Sequence, residues 1–225
     1  MKLIQGSLSL AVLLSAASAV AQVFVYQDVG GTDLYASTSG GTPGIAGDLV
    51  TLANTARTVT DLTVGLRGDM TGATADLSLS FYSPGPPDPD NDGYPTVGAQ
   101  IGQTITQTAV PVQNGSFNFT FTGVNITVPD NVIWAVSIDN LTQGANLGWT
   151  FSEPPTVGSS DPAFAYLGLG DALSVNVDPN TPPMYNLTAE ITAVPEPALY
   201  PVLFGLLCLG LAVKHRVRLS PYASA

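Results

Sequence analysis

Apolar and polar residues alternate with period two along much of residues 22–193. Residues 58–66 read TVTDLTVGL, 75–81 ADLSLSF, 116–121 SFNFTF, 131–138 NVIWAVSI and 185–191 YNLTAEI. Each stretch places apolar side chains on one face of an extended chain and Thr, Ser or Asp on the other, the mark of a half-buried strand. Further strands are predicted at 23–27, 97–106, 147–151 and 173–177. Clusters of Gly, Pro and Asn, such as GGTPG at 40–44 and Asn114-Gly115, punctuate them. No segment before the C-terminal tail sustains a 3.6-residue apolar period. The pattern predicts an all-β chain, an antiparallel β-sandwich, jelly-roll-like, of about nine strands. Its core is expected from Leu77, Leu79, Phe81, Ile133, Trp134 and Ala135.

Both ends depart from this pattern. The chain opens MKLIQGSLSLAVLLSAASAVAQ, with Lys2, an apolar run at 8–17 and a small-residue cleavage site at Ala19-Val20-Ala21. That layout predicts a secretory signal peptide over residues 1–21 and a mature chain from Gln22. At the other end residues 198–213 read ALYPVLFGLLCLGLAV, apolar all round, and Lys214-His215-Arg216-Val217-Arg218 follows. At 1.5 Å per residue this stretch spans ~24 Å, somewhat less than a ~30 Å hydrocarbon core. It predicts a C-terminal transmembrane helix, Ala198–Val213, with the basic end Lys214, Arg216 and Arg218 held inside and residues 219–225 as a short tail. A GPI signal would end hydrophobic, so the basic cluster argues against one.

Charge then narrows the chemistry. Only 10% of residues are charged, with 17 acids against 6 bases. Four of the six bases lie in the two terminal segments. Residues 22–197 keep Arg57 and Arg67 against all 17 acids, a net charge of −15. Such a body has no electrostatic means of holding a phosphate backbone, which excludes nucleic acid as a partner. It also has no His, Lys or Cys, because His215 and Cys208 belong to the tail. Nucleophilic catalysis of the Ser/His or Cys/His kind lacks its base. No disulfide and no Cys/His zinc site can form. A carboxylate pair as in glycosidases stays open. The three glutamates are Glu153, Glu190 and Glu196, and the aspartates stand mostly in turn contexts. The expectation is a protein that is not an enzyme.

Val194-Pro195-Glu196-Pro197 stands immediately before the apolar stretch. A Pro-Glu-Pro motif, an apolar helix and a basic end, in that order, resemble the tripartite tail of PEP-CTERM proteins. The resemblance runs from Val194 to Arg218, about a ninth of the chain. It implies an exported protein of a Gram-negative-type bacterium. It also implies handling at the inner membrane by an exosortase, a membrane protease with a catalytic Cys, and cleavage at the motif during sorting to the cell surface or extracellular matrix. Two features depart from the usual tail. Pro201 sits inside the predicted helix, in the first turn where proline is tolerated, and LSPYASA extends past the basic end. The two prolines of the motif favour extended backbone, so the helix is expected to start after it and Val194–Pro197 to be extended and exposed. Within the body, Phe81-Tyr82 before a Pro/Gly/Asp loop, Val128-Pro129-Asp130 and Trp134-Ala135-Val136 are similar to ectodomains ahead of such tails; no activity comes with that likeness.

Three further features carry candidate chemistry. Asp88-Pro89-Asp90-Asn91-Asp92-Gly93 has the D-x-D-x-D-G spacing in which Asp88, Asp90 and Asp92 can converge on one calcium ion. The twelfth position is Ala99 rather than a bidentate Glu, Pro89 stiffens the loop, and no helices flank it, so the competing reading is a solvated acidic hairpin tip. Sequons stand at Asn114, Asn118, Asn125, Asn140 and Asn186; in a Thr-rich β-protein they also arise from turn Asn beside strand Thr. Trp149 is a candidate platform for a sugar ring, whereas Trp134 is expected in the core. The leading function is a non-enzymatic surface or matrix protein. A lectin-like module binding extracellular polysaccharide or another ligand is the alternative, and a secreted carboxylate-dependent hydrolase the second.

Overall fold

The computed structural model describes residues 22–28, 31–39, 43–90, 93–152, 155–160, 164–169, 174–177 and 186–195. Fourteen strands build it: β1 (Val23–Asp28), β2 (Gly31–Ser39), β3 (Gly44–Thr51), β4 (Ala56–Gly68), β5 (Thr74–Pro87), β6 (Pro95–Pro111), β7 (Gly115–Thr127), β8 (Asn131–Asp139), β9 (Asn146–Ser152), β10 (Ser159–Ser160), β11 (Phe164–Leu169), β12 (Ser174–Val177), β13 (Asn186–Leu187) and β14 (Ala189–Pro195). They form two seven-stranded antiparallel sheets. The all-β, two-sheet expectation holds; the strand number is corrected from about nine to fourteen. The predicted signal peptide and transmembrane helix lie outside the described residues. Among the described residues no helix is long and apolar enough to cross a membrane, which says nothing of crossing by strands.

The pairing is nested. β5 pairs with β6, β4 with β7, β3 with β8 and β2 with β9. These ladders alternate between sheets, giving β3-β8-β5-β6 in one and β2-β9-β4-β7 in the other. A long antiparallel ribbon is thus folded over itself at corner turns, so the apolar faces of successive pairs meet. The remaining strands are additions. β10, β11 and β12 extend the first sheet beyond β3, and β14 lies between β4 and β1 in the second. Residues 185–191, read as one strand, change partner at Thr188. Asn186 and Leu187 pair with β9, Thr188 donates to Thr150 O, Gly65 donates to Thr188 O, and from Ala189 the chain runs beside β4.

The main core lies between the sheets. Leu77, Leu79 and Phe81 of β5 face Leu62, Val64 and Leu66 of β4, with Trp134, Val136, Leu147 and Ile191 among them, all at most 1% exposed. Ile133 is fully buried but belongs to a second, smaller cluster with Tyr166, beside Leu49, Tyr82, Tyr94 and Val97. β8 is therefore covered on both faces, a correction to its reading as a one-sided strand. The outward face formed by β14, β4 and β7 is polar as expected, and its threonines pair across strands: Thr63 with Thr120 at 2.8 Å, Thr58 with Thr127 at 3.0 Å and Thr60 with Thr192 at 3.3 Å.

Polar clamps set the corners. Arg57 Nε donates to Asp130 Oδ1 at 2.6 Å, and its other nitrogens donate to the carbonyls of Ala53, Asn54 and Ala56. The Val128-Pro129-Asp130 corner is thereby tied to the β3–β4 turn. At other corners Asp69 accepts from the backbone and side-chain amides of Asn146, and Asp76 accepts from Ala109 N and Asn140 Nδ2. In both cases the side-chain bond first, then the backbone bond, holds the carboxyl below the ordinary aspartate range. The folded value is lowered, so the stabilisation is complete above the unfolded value of about 3.9 and disappears as pH falls through the folded value. Asp69→Asn with Asp76→Asn should flatten the fall in urea midpoint below about pH 4 while leaving its slope near pH 7 unchanged. An acid limb identical to the native protein's would reject these two carboxylates as its source.

Candidate functional site

Three places hold the residues singled out by sequence, and two more emerge from the fold. The acidic loop caps the β5–β6 hairpin. Asp88 N donates to Tyr94 O, Gly93 N donates to Asp88 O, and Asp90 N donates to Asp88 Oδ1 at 3.0 Å. The Asp88 carboxylate thus closes an Asx-type turn, one of the ordinary uses of Asp at a hairpin tip. Asp92 lies outside the described residues. Among the described residues no three His, Cys, Asp or Glu side chains converge as a metal group.

Trp149, the candidate sugar platform, is buried. It is 3% exposed and lies in the core, because Leu147 and Trp149 alternate inward along β9. Its Nε1 is buried without a hydrogen-bond partner among the described residues. No ring face is presented to solvent.

The motif Val194–Pro197 begins inside the sheet. Val194 pairs with Thr58 and Pro195 with Ala56, and both are half-buried. Extended backbone was expected and is found at these two residues. Their exposure is corrected, because β14 keeps pairing with β4 to its last residue. Glu196, Pro197 and the basic end Lys214, Arg216 and Arg218 lie outside the described residues, as does Glu153. Glu190 accepts from Gln27 Nε2 at 2.8 Å on the sheet face.

Two buried aspartates were not anticipated. Asp28 and Asp48 are each 1% exposed, and Asp48 shares the β3 face of Ala46 and Val50. Burial, then the Asp48 charge, pushes both the Tyr26 and Tyr166 phenols well above the ordinary tyrosine range. Tyr26 shares its hydroxyl with Ser160 Oγ at 3.2 Å, and Tyr166 donates to Pro95 O at 2.7 Å. This cluster ties β1, β3, β10, β11 and the first residue of β6, beside the hairpin tip, together. A signal for it existed: Asp48 interrupts the apolar face of GIAGDLVT.

The last place is a groove of about 590 Å³ between the outermost strands of the two sheets, with Ile101, Gly102 and Gln103 of β6 on one wall and residues 123–127 of β7 on the other. Bulges open it. Two extra residues on β6 separate the Leu79 and Phe81 pairings, and two on β7 separate those of Val59 and Asp61. Gly102, Gly123 and Asn125 take left-handed φ of 70°, 69° and 52° to allow this. Ile101, Val124 and Ile126 supply apolar surface; Gln103, Asn125 and Thr127 supply hydrogen-bonding groups.

Comparison with known proteins adds little. No family model matches the chain, and no curated protein matches it. Among solved structures it is similar to a chain of "Structure of infectious bursal disease virus Gx strain", at 13% identity and a TM-score of 0.23, over 88% of this chain and 48% of that one. The chain therefore spans about half the length of that viral protein, and a TM-score this low supports nothing about function.

Proposed function

We propose that this chain is an exported, non-enzymatic protein of the cell surface or extracellular matrix, sorted by an exosortase through its C-terminal Pro-Glu-Pro signal. The observation that carries the reading is the order Val194–Pro197, Ala198–Val213, Lys214–Arg218 at the end of an acidic body without His, Lys or Cys. β14 pairs with β4 as far as Pro195, so a cut after Pro195 would release the last strand with its pairing complete. The nested pairs β2/β9, β3/β8, β4/β7 and β5/β6 support a jelly-roll reading of the body. The burial of Trp149 weighs against a lectin-like module that stacks sugars on that ring.

Changing Glu196 and Pro197 to alanine leaves β14, the apolar stretch and the basic end intact. The double variant should remain full length in the inner membrane. The native protein should leave that membrane after losing about 30 residues, as residues 196–225 number 30. Recovery of native protein from the cell surface with an intact mass extending to Ala225 would overturn the sorting reading.

A further inference from the structure

β6 and β7 close one side of the sandwich. β6 is paired to β5 and β7 to β4; among the described residues no strand pairs with the opposite edge of either. An uncovered edge is a template for another chain, and proteins guard such edges with charge, proline or bulges. β6 is guarded: it is bulged near Gly102 and at Ala109 and bounded by Pro95 and Pro111. β7 is bulged at 123–125, but residues 116–122 run in unbroken register, from Ser116 opposite Arg67 to Thr122 opposite Asp61. That run reads SFNFTFT, with no proline, glycine or charge. Asn118, Thr120 and Thr122 are exposed, while Phe117 and Phe119 are only half-buried at the margin of the core.

We propose that residues 116–122 of β7 pair antiparallel with the same residues of a second copy of this chain, joining two sheets edge to edge. Two observations select a second copy. The first is charge. Residues 93–129 contain no Asp, Glu, Lys or Arg, whereas residues 22–197 carry a net −15. Two such bodies repel one another over most approaches, and the uncharged edge minimises that cost. The second is self-complementarity. A two-fold axis at Phe119 sets Phe117 opposite Phe121, Asn118 opposite Thr120 and Ser116 opposite Thr122. The half-buried Phe119 of each copy then meets its counterpart on one face, beside a Phe121 already buried in its own core, and hydrogen-bonding side chains meet on the other. Seven paired residues bury less than the ~1,200 Å² of a stable interface, so the dimer is weak and strengthens as salt screens the bodies.

Sedimentation of the full chain in mild detergent at about 20 mM and about 500 mM NaCl, where the Debye length falls from roughly 20 Å to roughly 4 Å, tests this. The dimer fraction should rise with salt. Asn118→Lys with Thr120→Lys sets lysines opposite each other in the proposed register and should weaken association about tenfold. The same change lowers the body's net charge to −13, so general electrostatics predict the opposite sign. Gln103→Lys with Thr108→Lys, on the exposed side of β6, should leave association unchanged. If the double β7 variant loses the β-rich circular dichroism of the native chain, Asn118→Lys alone gives the same sign. A chain monomeric at both salts overturns the proposal, including one that is monomeric yet retained on an uncharged polysaccharide. So does a dimer that survives the β7 lysines, as one held by the apolar tail would, or one that only the β6 lysines weaken.

Discussion

Gly47→Ala is expected to destabilise the fold by about 3 kcal/mol or more, at the upper end of what overpacking costs. Gly47 lies mid-strand in β3, opposite Ala135 of β8 on one side and Tyr166 of β11 on the other. A Cβ there would run into the backbone carbonyl oxygen of Trp134, and it would stand 2.8 Å from Ala135 Cβ and 2.9 Å from Ala135 Cα. None of these atoms is the far end of a flexible side chain, so relief requires β3 and β8 to move apart. That movement would disturb the strand that carries Asp48 and Val50 and the small Ile133–Tyr166 cluster. For a chain of this size each kcal/mol lowers Tm by roughly 2–4 °C, so a fall of about 10 °C is expected. Thermal melting followed by circular dichroism measures it, and a variant melting within a degree or two of the native protein would show that β3 is not held at this distance.

The same strand shows where sequence reading stops. β4, β5 and the first half of β7 alternate because one face meets the core and the other meets water, and their threonine and serine faces are found outward. β3 and β8 lack a wet face over much of their length. GIAGDLVT is buried at every position from Gly44 to Asp48, so period-two alternation had nothing to mark. β2, β10 and β11 were missed because they are short or rich in Gly, Ser and Ala, and are held by pairing with stronger strands. The bulges of β6 and β7 were hidden as well. Gly102 and Gly123 are visible as glycines, but only the offset in register shows that each opens a wall of the groove. Of the candidate residues, the order of the tail segments is a property of the linear chain and is readable there. The fate of Trp149 depends on which way β9 faces, and a run of seven residues containing Gly148 does not announce that.

Trp134→Ala is expected to cost about 3–5 kcal/mol, whereas Trp134→Phe is expected to cost only about 1–2 kcal/mol. Trp134 has no exposed surface, is the largest of the fully buried side chains, and stands where β8 lies between β3 and β5, opposite Asp48 and Phe81. Truncation to alanine removes most of its packing and leaves a cavity that two paired neighbours limit in its collapse. The phenyl ring keeps the aromatic body and discards the indole nitrogen. That nitrogen is buried with no hydrogen-bond partner among the described residues, so its removal relieves an uncompensated desolvation and offsets part of the lost volume. Urea unfolding should show both midpoints lowered at unchanged m-value, with the phenylalanine variant losing less than half of what the alanine variant loses. Equal losses would mean that Nε1 does hold a partner in solution, and that the interior beside Asp48 is more polar than the packing indicates.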